Sequence, residues 1–526
     1  MRLGGVSKTE FRALTTVNSL AIAAAWSSER LDICHRTHHL CTELSSFGQG
    51  PARLLSIRSP DLVAIVDGDL DEGPYRYAAL SYCWGGDQET KLTELNQQQL
   101  RAGVNPGCLS QTVQDAIVVC RSLKIDYLWV DALCILQGGD SDDWYRQALT
   151  LHKIYGGAYV TLGICSAERA QQGFLHEQHN AMPVDPERCS IVGMEETAML
   201  PVPVRKTLAH ARTETPLAQR GWIFQEELLS PRIIYWSEQG LYWSCCAHKD
   251  AQNGTSYTDE LFPQLTPPTV MDAQGFRTSP DPLLLWDDMI SSFSVRDFTI
   301  DDDRLPAVNG LAAVIEQATG EEYLLGFWKS RLPAQLLWIV TGPLQHRESR
   351  PQAESGAPNI KPPSWSWASV APARKIVMPK QASHRAQFRT SIGSQLHLRG
   401  RTRLLTAGLS PLWSYPEEES SDMVGPRYPM LKYQPRVWAV DRQQNRLLVS
   451  LDWRRPIIIH LDDRVPSDDS FDRLVCFEIN YIGFLLLEPS RSDTKGGEVF
   501  KRVGCAQVHR ESRFFDGSEE KEVIIE

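Results

Sequence analysis

The chemistry-bearing residues of this chain gather at the ends of apolar runs. Asp131 lies in Tyr127-Leu128-Trp129-Val130-Asp131-Ala132-Leu133-Cys134-Ile135, and Asp142 and Asp143 follow a pair of glycines. A carboxylate at the carboxyl end of a buried strand binds a ligand or caps neighbouring amides, and Asp131 is a candidate for either role. Asp143 stands where the helix dipole stabilises an acid at a helix start, and is a second candidate carboxylate. Trp84, Gly85 and Gly86 close an earlier apolar run. Glycine lets a ligand approach backbone amides, so these three, with Gln137 at the end of the Asp131 segment, form a candidate ligand-facing lip; they serve equally as a chain turn.

Sulfur and nitrogen donors make a second group. Cys34, His38 and Cys41 have a spacing that offers three ligands to zinc, and Cys245, Cys246 and His248 are further donors. No CxxC pair accompanies them, buried thiols and a solvated histidine are the commoner outcome, and no metal is assigned. Asp67, Asp69 and Asp71 imitate the start of a calcium loop, but Glu72 holds the glycine position and Ala78 the closing acid position, which excludes calcium. In the stretch from Arg220 to Arg232, helical spacing puts Trp222, Gln225, Glu226 and Leu229 on one face. A half-buried Glu226 needs a cation, so Arg220, Glu226 and Arg232 read as a structural network. The chain has no GxGxxG, Gly-rich phosphate loop with lysine, GxSxG or HExxH. Dinucleotide dehydrogenases, P-loop nucleotidases, serine hydrolases and zincins therefore lose their usual support.

The elements that position these residues alternate between residues 75 and 165. Tyr77 to Trp84 reads as a buried strand stopped by Gly85-Gly86. Thr112 to Leu123 reads as a helix, with Val113, Ala116, Ile117, Cys120 and Leu123 on one stripe and Ser110 as its cap. Tyr127 to Ile135 reads as a second buried strand. Ser141 to Tyr155 reads as a helix with Trp144, Ala148, Leu151 and Tyr155 on one face, and Tyr159 to Cys165 as a third strand. A β-α-β-α-β run with short connections requires right-handed crossovers between parallel strands, hence an α/β layered sheet.

Breaks rich in Pro, Gly, Thr and acidic residues divide the rest. The expected organisation is a flanking segment at 1–74, an α/β domain with its extension at 75–250, a linker at 251–285 and an α+β region at 286–526. Within that last region, Glu321 to Val340 looks helical. Val437 to Val449, Ile457 to Leu461 and Leu474 to Leu487 look like strands, and Trp365 and Trp367 alternate as strand residues do.

The 526 residues carry 54 Lys+Arg against 65 Asp+Glu, a net charge of -11, which argues against a nucleic-acid partner. No run reaches the ~18–20 apolar residues of a membrane span. Leu20 to Trp26 reads as helix, not as a signal peptide. Twelve scattered cysteines favour a reduced compartment.

The blocks Tyr77-Ala78-Ala79-Leu80-Ser81-Tyr82-Cys83-Trp84-Gly85 and Tyr127 to Gln137 resemble the hallmarks of the fungal heterokaryon-incompatibility (HET) domain family. So do Asp143-Trp144 with Ile154-Tyr155, and Gln219-Arg220-Gly221-Trp222-Ile223-Phe224-Gln225-Glu226-Glu227. Flanking stretches around Cys34 to Cys41, Asp303 to Ala307 and Pro363 to Ala368 resemble those of many members. The resemblance implies a parallel-sheet core like the TIR/flavodoxin-like layered fold and a cytoplasmic role in nonself recognition and programmed cell death. Protein interaction, with a partner or by self-association, is the main expectation. The alternative is TIR-like cleavage of NAD as a substrate, with a pocket at the strand ends. TIR enzymes use a glutamate on a helix corresponding to Ser141 to Tyr155. Many members have an acid where this chain has Gln147, which hydrogen-bonds but cannot carry the charge that stabilises an oxocarbenium-like state; that departure weakens the enzyme reading, in which Asp131, Asp143 and Gln147 are the candidate catalytic positions.

Overall fold

The computed structural model describes residues 20–44, 50–68, 75–88, 90–138, 141–175, 208–238, 240–252, 281–341, 361–371, 374–379, 384–404, 436–441, 446–450, 456–462, 473–481, 483–492, 498–507, 515 and 517–526. The chain forms two compact units. The first comprises Met1–Ser279, Pro306–Ala318 and Ser355–Pro358; the second comprises Pro280–Leu305, Thr319–Glu354 and Asn359–Glu526. Most of the expected linker lies outside the described residues.

The first unit is built on a mixed eight-stranded sheet in the order β2-β1-β4-β3-β5-β6-β7-β8. The strands are β1 Arg53–Ser56, β2 Ala64–Asp67, β3 Tyr77–Ser81, β4 Tyr127–Trp129, β5 Val160–Ile164, β6 Arg232–Ser237, β7 Gly240–Cys245 and β8 Lys249–Ala251. The four central strands β4, β3, β5 and β6 run parallel, and antiparallel pairs flank them on both sides. Every residue of β3, β4 and β5 is buried, as expected of parallel strands covered on both faces. Alternation along β6 separates two cores: Ile234 and Trp236 join the larger one with Leu80, Leu128 and Leu162, while Ile233 and Tyr235 join the other with Cys83 and Cys165.

The helix Gln111–Ser122 buries Val113, Ala116, Ile117 and Cys120, the expected stripe. Ser110 precedes it but makes no side-chain cap; the free amide of Thr112 instead donates to the Ala170 carbonyl at 2.8 Å. The helix Ser141–Gly157 buries Ala148, Leu151, Ile154 and Tyr155, and the side chain of Trp144 lies outside the described residues. The second expected strand needs correction. It ends at Trp129, and Asp131–Cys134 forms a single helical turn. Residues 132–135 are all apolar and buried, so periodicity there does not separate a strand from a buried helical turn. The expected flanking segment contributes β1 and β2 to the same sheet, and β6 to β8 extend it at the other side.

In the second unit, the helix Pro282–Phe293 is capped by Asp281, whose side chain accepts from the Leu283 amide at 3.0 Å. Glu321 to Val340 is not a helix. It contains the short hairpin Tyr323–Leu324 and Phe327–Trp328 and ends in the strand Ile339–Thr341. Gly326 has φ +105° and makes this turn; its carbonyl accepts from the indoles of Trp286 and Trp367 at 3.0 and 3.1 Å, and an added Cβ would lie 2.4 Å from Trp367 Nε1. Trp365 and Trp367 are not strand residues either: they flank Ser366, which caps the short 3-10 helix Trp367–Ser369, and both indoles are fully buried. Val437 to Val449 and Leu474 to Leu487 each hold two strands, Arg436–Asp441 with Arg446–Ser450 and Val475–Asn480 with Gly483–Ser492, and Ile457 to Leu461 lies in the strand Pro456–Leu461; the strands Gln395–Leu404, Glu498–Gln507 and Glu519–Ile525 were not expected. Gln395–Leu404, Val475–Asn480, Gly483–Ser492, Glu498–Gln507 and Glu519–Ile525 pair in succession, and the last returns to the first, closing a five-stranded ring. Closure leaves these strands without a free edge, which removes a template for aggregation.

Candidate functional site

The carboxyl ends of β3 and β4 bring two carboxylates to one arginine. Beyond Ser81, the chain continues through Tyr82 to Trp84, and beyond Trp129 it turns into the Asp131 helical turn. Trp84 Nε1 donates to Asp131 Oδ2 at 2.8 Å, and the Ala132 amide donates to Asp131 Oδ1 at 2.7 Å. Arg220, just before the helix Gly221–Leu229, donates through Nη1 to the Tyr82 carbonyl. Glu226 enters from that helix; it is 9% exposed, and its Oε2 is buried without a hydrogen-bond partner.

Electrostatics follow from burial. Desolvation pushes the Glu226 carboxyl up to about 7; the Asp131 charge adds to the rise, while the Ser81 hydroxyl, Arg220 and the Tyr155 hydroxyl oppose it. Asp131 is raised for the same first reason, with Arg220, the Ala132 amide and the Trp84 indole pulling it down. Tyr82 is held well above the usual phenol range by burial and then by the Asp131 charge. The arrangement is therefore a buried pair of acids that share one guanidinium, with one member poised to exchange a proton near neutral pH.

The helix Gly221–Leu229 is apolar on most positions and buried nearly all round, with Trp222 half-buried. Gln225, Glu226 and Glu227 do not lie on one solvent-facing side. Gln225 Oε1 accepts from the Gly310 amide at 2.9 Å, Glu226 faces the strand ends, and Glu227 pairs with Arg212 and accepts from Tyr235 Oη at 3.0 Å.

The candidates from the sequence separate. Asp131 and Trp84 meet directly, with Arg220 and Glu226 beside them. Asp143 is engaged elsewhere, in an ion pair with Arg53 and as acceptor from the Leu136 amide at 2.9 Å. Gln147 is buried on the helix Ser141–Gly157. Gln137 folds back on its own segment, its Nε2 donating to the Ile135 carbonyl at 3.1 Å. Gly85, at φ +68°, packs on Arg169, whose Cα would lie 2.6 Å from an added Cβ; this close approach is to protein chain, and Gly86 faces open space. Arg232 is not a partner of Glu226. It donates to Cys34 Sγ and to the Tyr159 carbonyl at the opposite end of the sheet, so the expected three-residue network is corrected to Arg220 with Glu226 and Asp131. Tyr82, Tyr155 and Ser81 were not singled out from the sequence. Besides Asp131 and Trp84, the sequence pointed to the site through Glu226, an acid in an apolar helix that needs a partner when buried.

Cys34, His38 and Cys41 do converge, and Cys245 joins them; the three thiols are buried, as expected, and His38 is half-buried. Two cavities lie away from all of these groups. One, of about 250 Å³, is lined by Thr90, Cys108, Ser110, Gln111 and Gln171; the other, of about 430 Å³, lies in the second unit beside Ser364, Asp462 and Arg502.

No helix among the described residues is long and apolar enough to cross a membrane. No curated protein and no solved structure matches the chain. Residues 77–226 match the family model described as heterokaryon incompatibility protein (HET), and that span begins at the first residue of β3 and ends on Glu226. The matched span carries β3, β4, β5 and both acids of the carboxyl-end pair, and over it the chain is similar to heterokaryon-incompatibility domains.

Proposed function

We propose that this is a fungal cytoplasmic protein whose HET domain acts in nonself recognition and cell-death signalling through protein interaction, by self-association or by binding a partner. The family match over the whole β3-to-Glu226 succession carries the reading. Two features support interaction over turnover. Asp131 is occupied by Trp84 and its own helical turn, and neither cavity is lined by Asp131, Trp84 or Glu226. The second unit then regulates the domain.

One observation favours a second reading, cleavage of NAD in the manner of TIR enzymes. Counted from β3, the parallel strands stand in the order 2-1-3-4, as in flavodoxin-like sheets, whose ligands bind outside the strand carboxyl ends. There, Glu226 offers the acid that Gln147 does not, next to a second carboxylate able to stabilise an oxocarbenium-like state.

Inducible expression of the full chain in a fungal host, with growth and cellular NAD followed together, separates the two readings. Signalling by interaction predicts growth arrest at constant NAD, retained in Asp131→Asn and Glu226→Gln. Arrest that tracks NAD loss and disappears in both variants would transfer the assignment to the enzyme. Normal growth at high expression of folded protein would remove the cell-death role.

A further inference from the structure

At the other end of the sheet, four metal-ligating side chains from distant parts of the chain meet. Cys34 is on the last turn of the helix Leu20–Thr37, whose buried stripe is Ala23, Ser27, Leu31 and Cys34. His38 is one turn further on, and Cys41 lies in the next helix, His39–Leu44. The i, i+4 and i+7 spacing brings their donor atoms to one side. Cys245 is the last residue of β7, and its neighbour across the sheet is Arg232. The three sulfurs and the His38 ring nitrogen all lie within 4.8 Å of one another.

These distances suit a single tetrahedral ion. With metal–sulfur and metal–nitrogen bonds of about 2.3 and 2.0 Å, a tetrahedron has S···N edges of roughly 3.5 Å and S···S edges of roughly 3.8 Å. Cys245 Sγ and His38 Nδ1 are 3.5 Å apart. Around the sulfurs stand N–H donors of the kind that orient thiolate ligands: Arg232 Nε donates to Cys34 Sγ at 3.2 Å, and the His248 amide donates to Cys245 Sγ at 3.3 Å.

Charge supplies an independent argument. Arg232 is fully buried and forms no ion pair with a carboxylate among the described residues, and its Nη2 has no hydrogen-bond partner. A buried guanidinium beside neutral thiols would be an uncompensated charge, which is costly. Three thiolates and one histidine around a divalent ion carry a net charge of about −1, and Arg232 neutralises it. Soft thiolate donors in tetrahedral array select zinc over magnesium or calcium.

We propose that Cys34, His38, Cys41 and Cys245 form a structural zinc site that fastens the N-terminal helices to β7. All four positions are filled by protein, which leaves no open coordination position for a substrate. The register sets the site beside Arg232, at the amino end of β6, whereas the Asp131–Glu226 pair lies at the carboxyl ends of the parallel strands. The metal therefore holds the fold and does not take part in chemistry at the acid pair.

The test is elemental analysis of the full-length protein, expressed in zinc-supplemented medium and purified under reducing conditions. About one zinc per chain is expected, falling to none in Cys245→Ser and Cys34→Ser, while Cys246→Ser, a neighbouring thiol outside the set, keeps it. Exchange with cobalt should give the ligand-field bands of a tetrahedral thiolate site, and His38→Cys, which still offers four ligands, should retain the metal with an altered spectrum. Folded wild-type protein without zinc, full zinc in Cys245→Ser, a cobalt spectrum unchanged by His38→Cys, or a Cys34–Cys245 disulfide in the reduced preparation would each overturn the proposal.

Discussion

At the amino ends of the parallel strands the polar groups are sulfurs around Arg232, whereas at the carboxyl ends they are oxygens around Arg220. Both arginines are tied to a strand-end segment, and both stand by groups able to carry negative charge. The difference lies in how completely those groups are matched. Cys34, His38, Cys41 and Cys245 form a closed donor set of a size suited to one ion. Asp131 and Glu226 together have one guanidinium, and an oxygen of Glu226 is left buried and unbonded. One sheet thus separates a region organised for holding from a region under electrostatic strain, and such strain is commonly retained where function needs it.

The contrast makes its largest prediction at the sulfur end. Loss of the proposed ion, by Cys245→Ser or by chelation, removes a cross-link between residues far apart in sequence. It should cost the first unit on the order of 5 kcal/mol, a fall in Tm of roughly 10–20 °C. Thermal unfolding followed by near-UV circular dichroism gives the value; a fall of only a degree or two would erase the distinction between the two ends.

The carboxyl end predicts an effect of opposite sign. Glu226 is held near 7 in the folded protein and returns to an ordinary carboxyl on unfolding, so the folded state binds its proton more tightly. Its contribution is fully present at acid pH, falls as pH rises from about 4.5 to about 7, and stays low above that, a change of about 3 kcal/mol. Glu226→Gln keeps the shape of the protonated side chain and cannot ionise. The variant should match the wild type near pH 4.5 and exceed it by about 3 kcal/mol at pH 8 in urea unfolding. A variant that is less stable at pH 8, or a gap that does not change with pH, would show that Glu226 is not a strained acid.

Much of this was readable in the sequence where apolar and polar residues alternate with a clear period. The helix Gln111–Ser122 is of that kind, whereas strands β3 and β5 were legible as short, mostly apolar runs beside glycine pairs. Residues 132–135 carried no such contrast, and their helical turn was read as strand. Pairing across the sheet was less accessible still. Arg220 and Arg232 are equally far from Glu226 along the chain, so spacing could not choose between them; the folding of β6 carries one toward Cys34 and leaves the other at Tyr82. Cys245 was recognised as a donor, but its place beside Cys34 and Cys41 depends on β7 returning antiparallel along β6. Asp131 could be found because it ends an apolar run. Glu226 was recognised as a residue needing a partner, but its role in an acid pair depended on the fold.

Asp143 offers the smallest effect and the finest distinction within the carboxyl end. From its type and position it was as good a candidate as Asp131, yet the fold commits it to Arg53 and to the Leu136 amide. Arg53 also donates through Nε to the Cys134 carbonyl at 2.7 Å, so the pair ties β1 to the turn that follows β4. Both side chains retain some exposure, 14% and 17%, and solvent weakens the Coulomb attraction between them. Asparagine keeps an oxygen for Leu136 and loses only the charge. Asp143→Asn should therefore cost about 1 kcal/mol and leave the pH dependence produced by Glu226 in place. Asp131→Asn, beside Glu226, removes a negative neighbour and should shift that dependence toward lower pH, because one cause of the Glu226 rise is gone. Urea titrations of the two variants across pH 4–8 make the comparison. Equal shifts from Asp131→Asn and Asp143→Asn would mean that the field at Glu226 comes from the general acidity of this end of the sheet, and the specific pairing of Asp131 with Glu226 would then be lost.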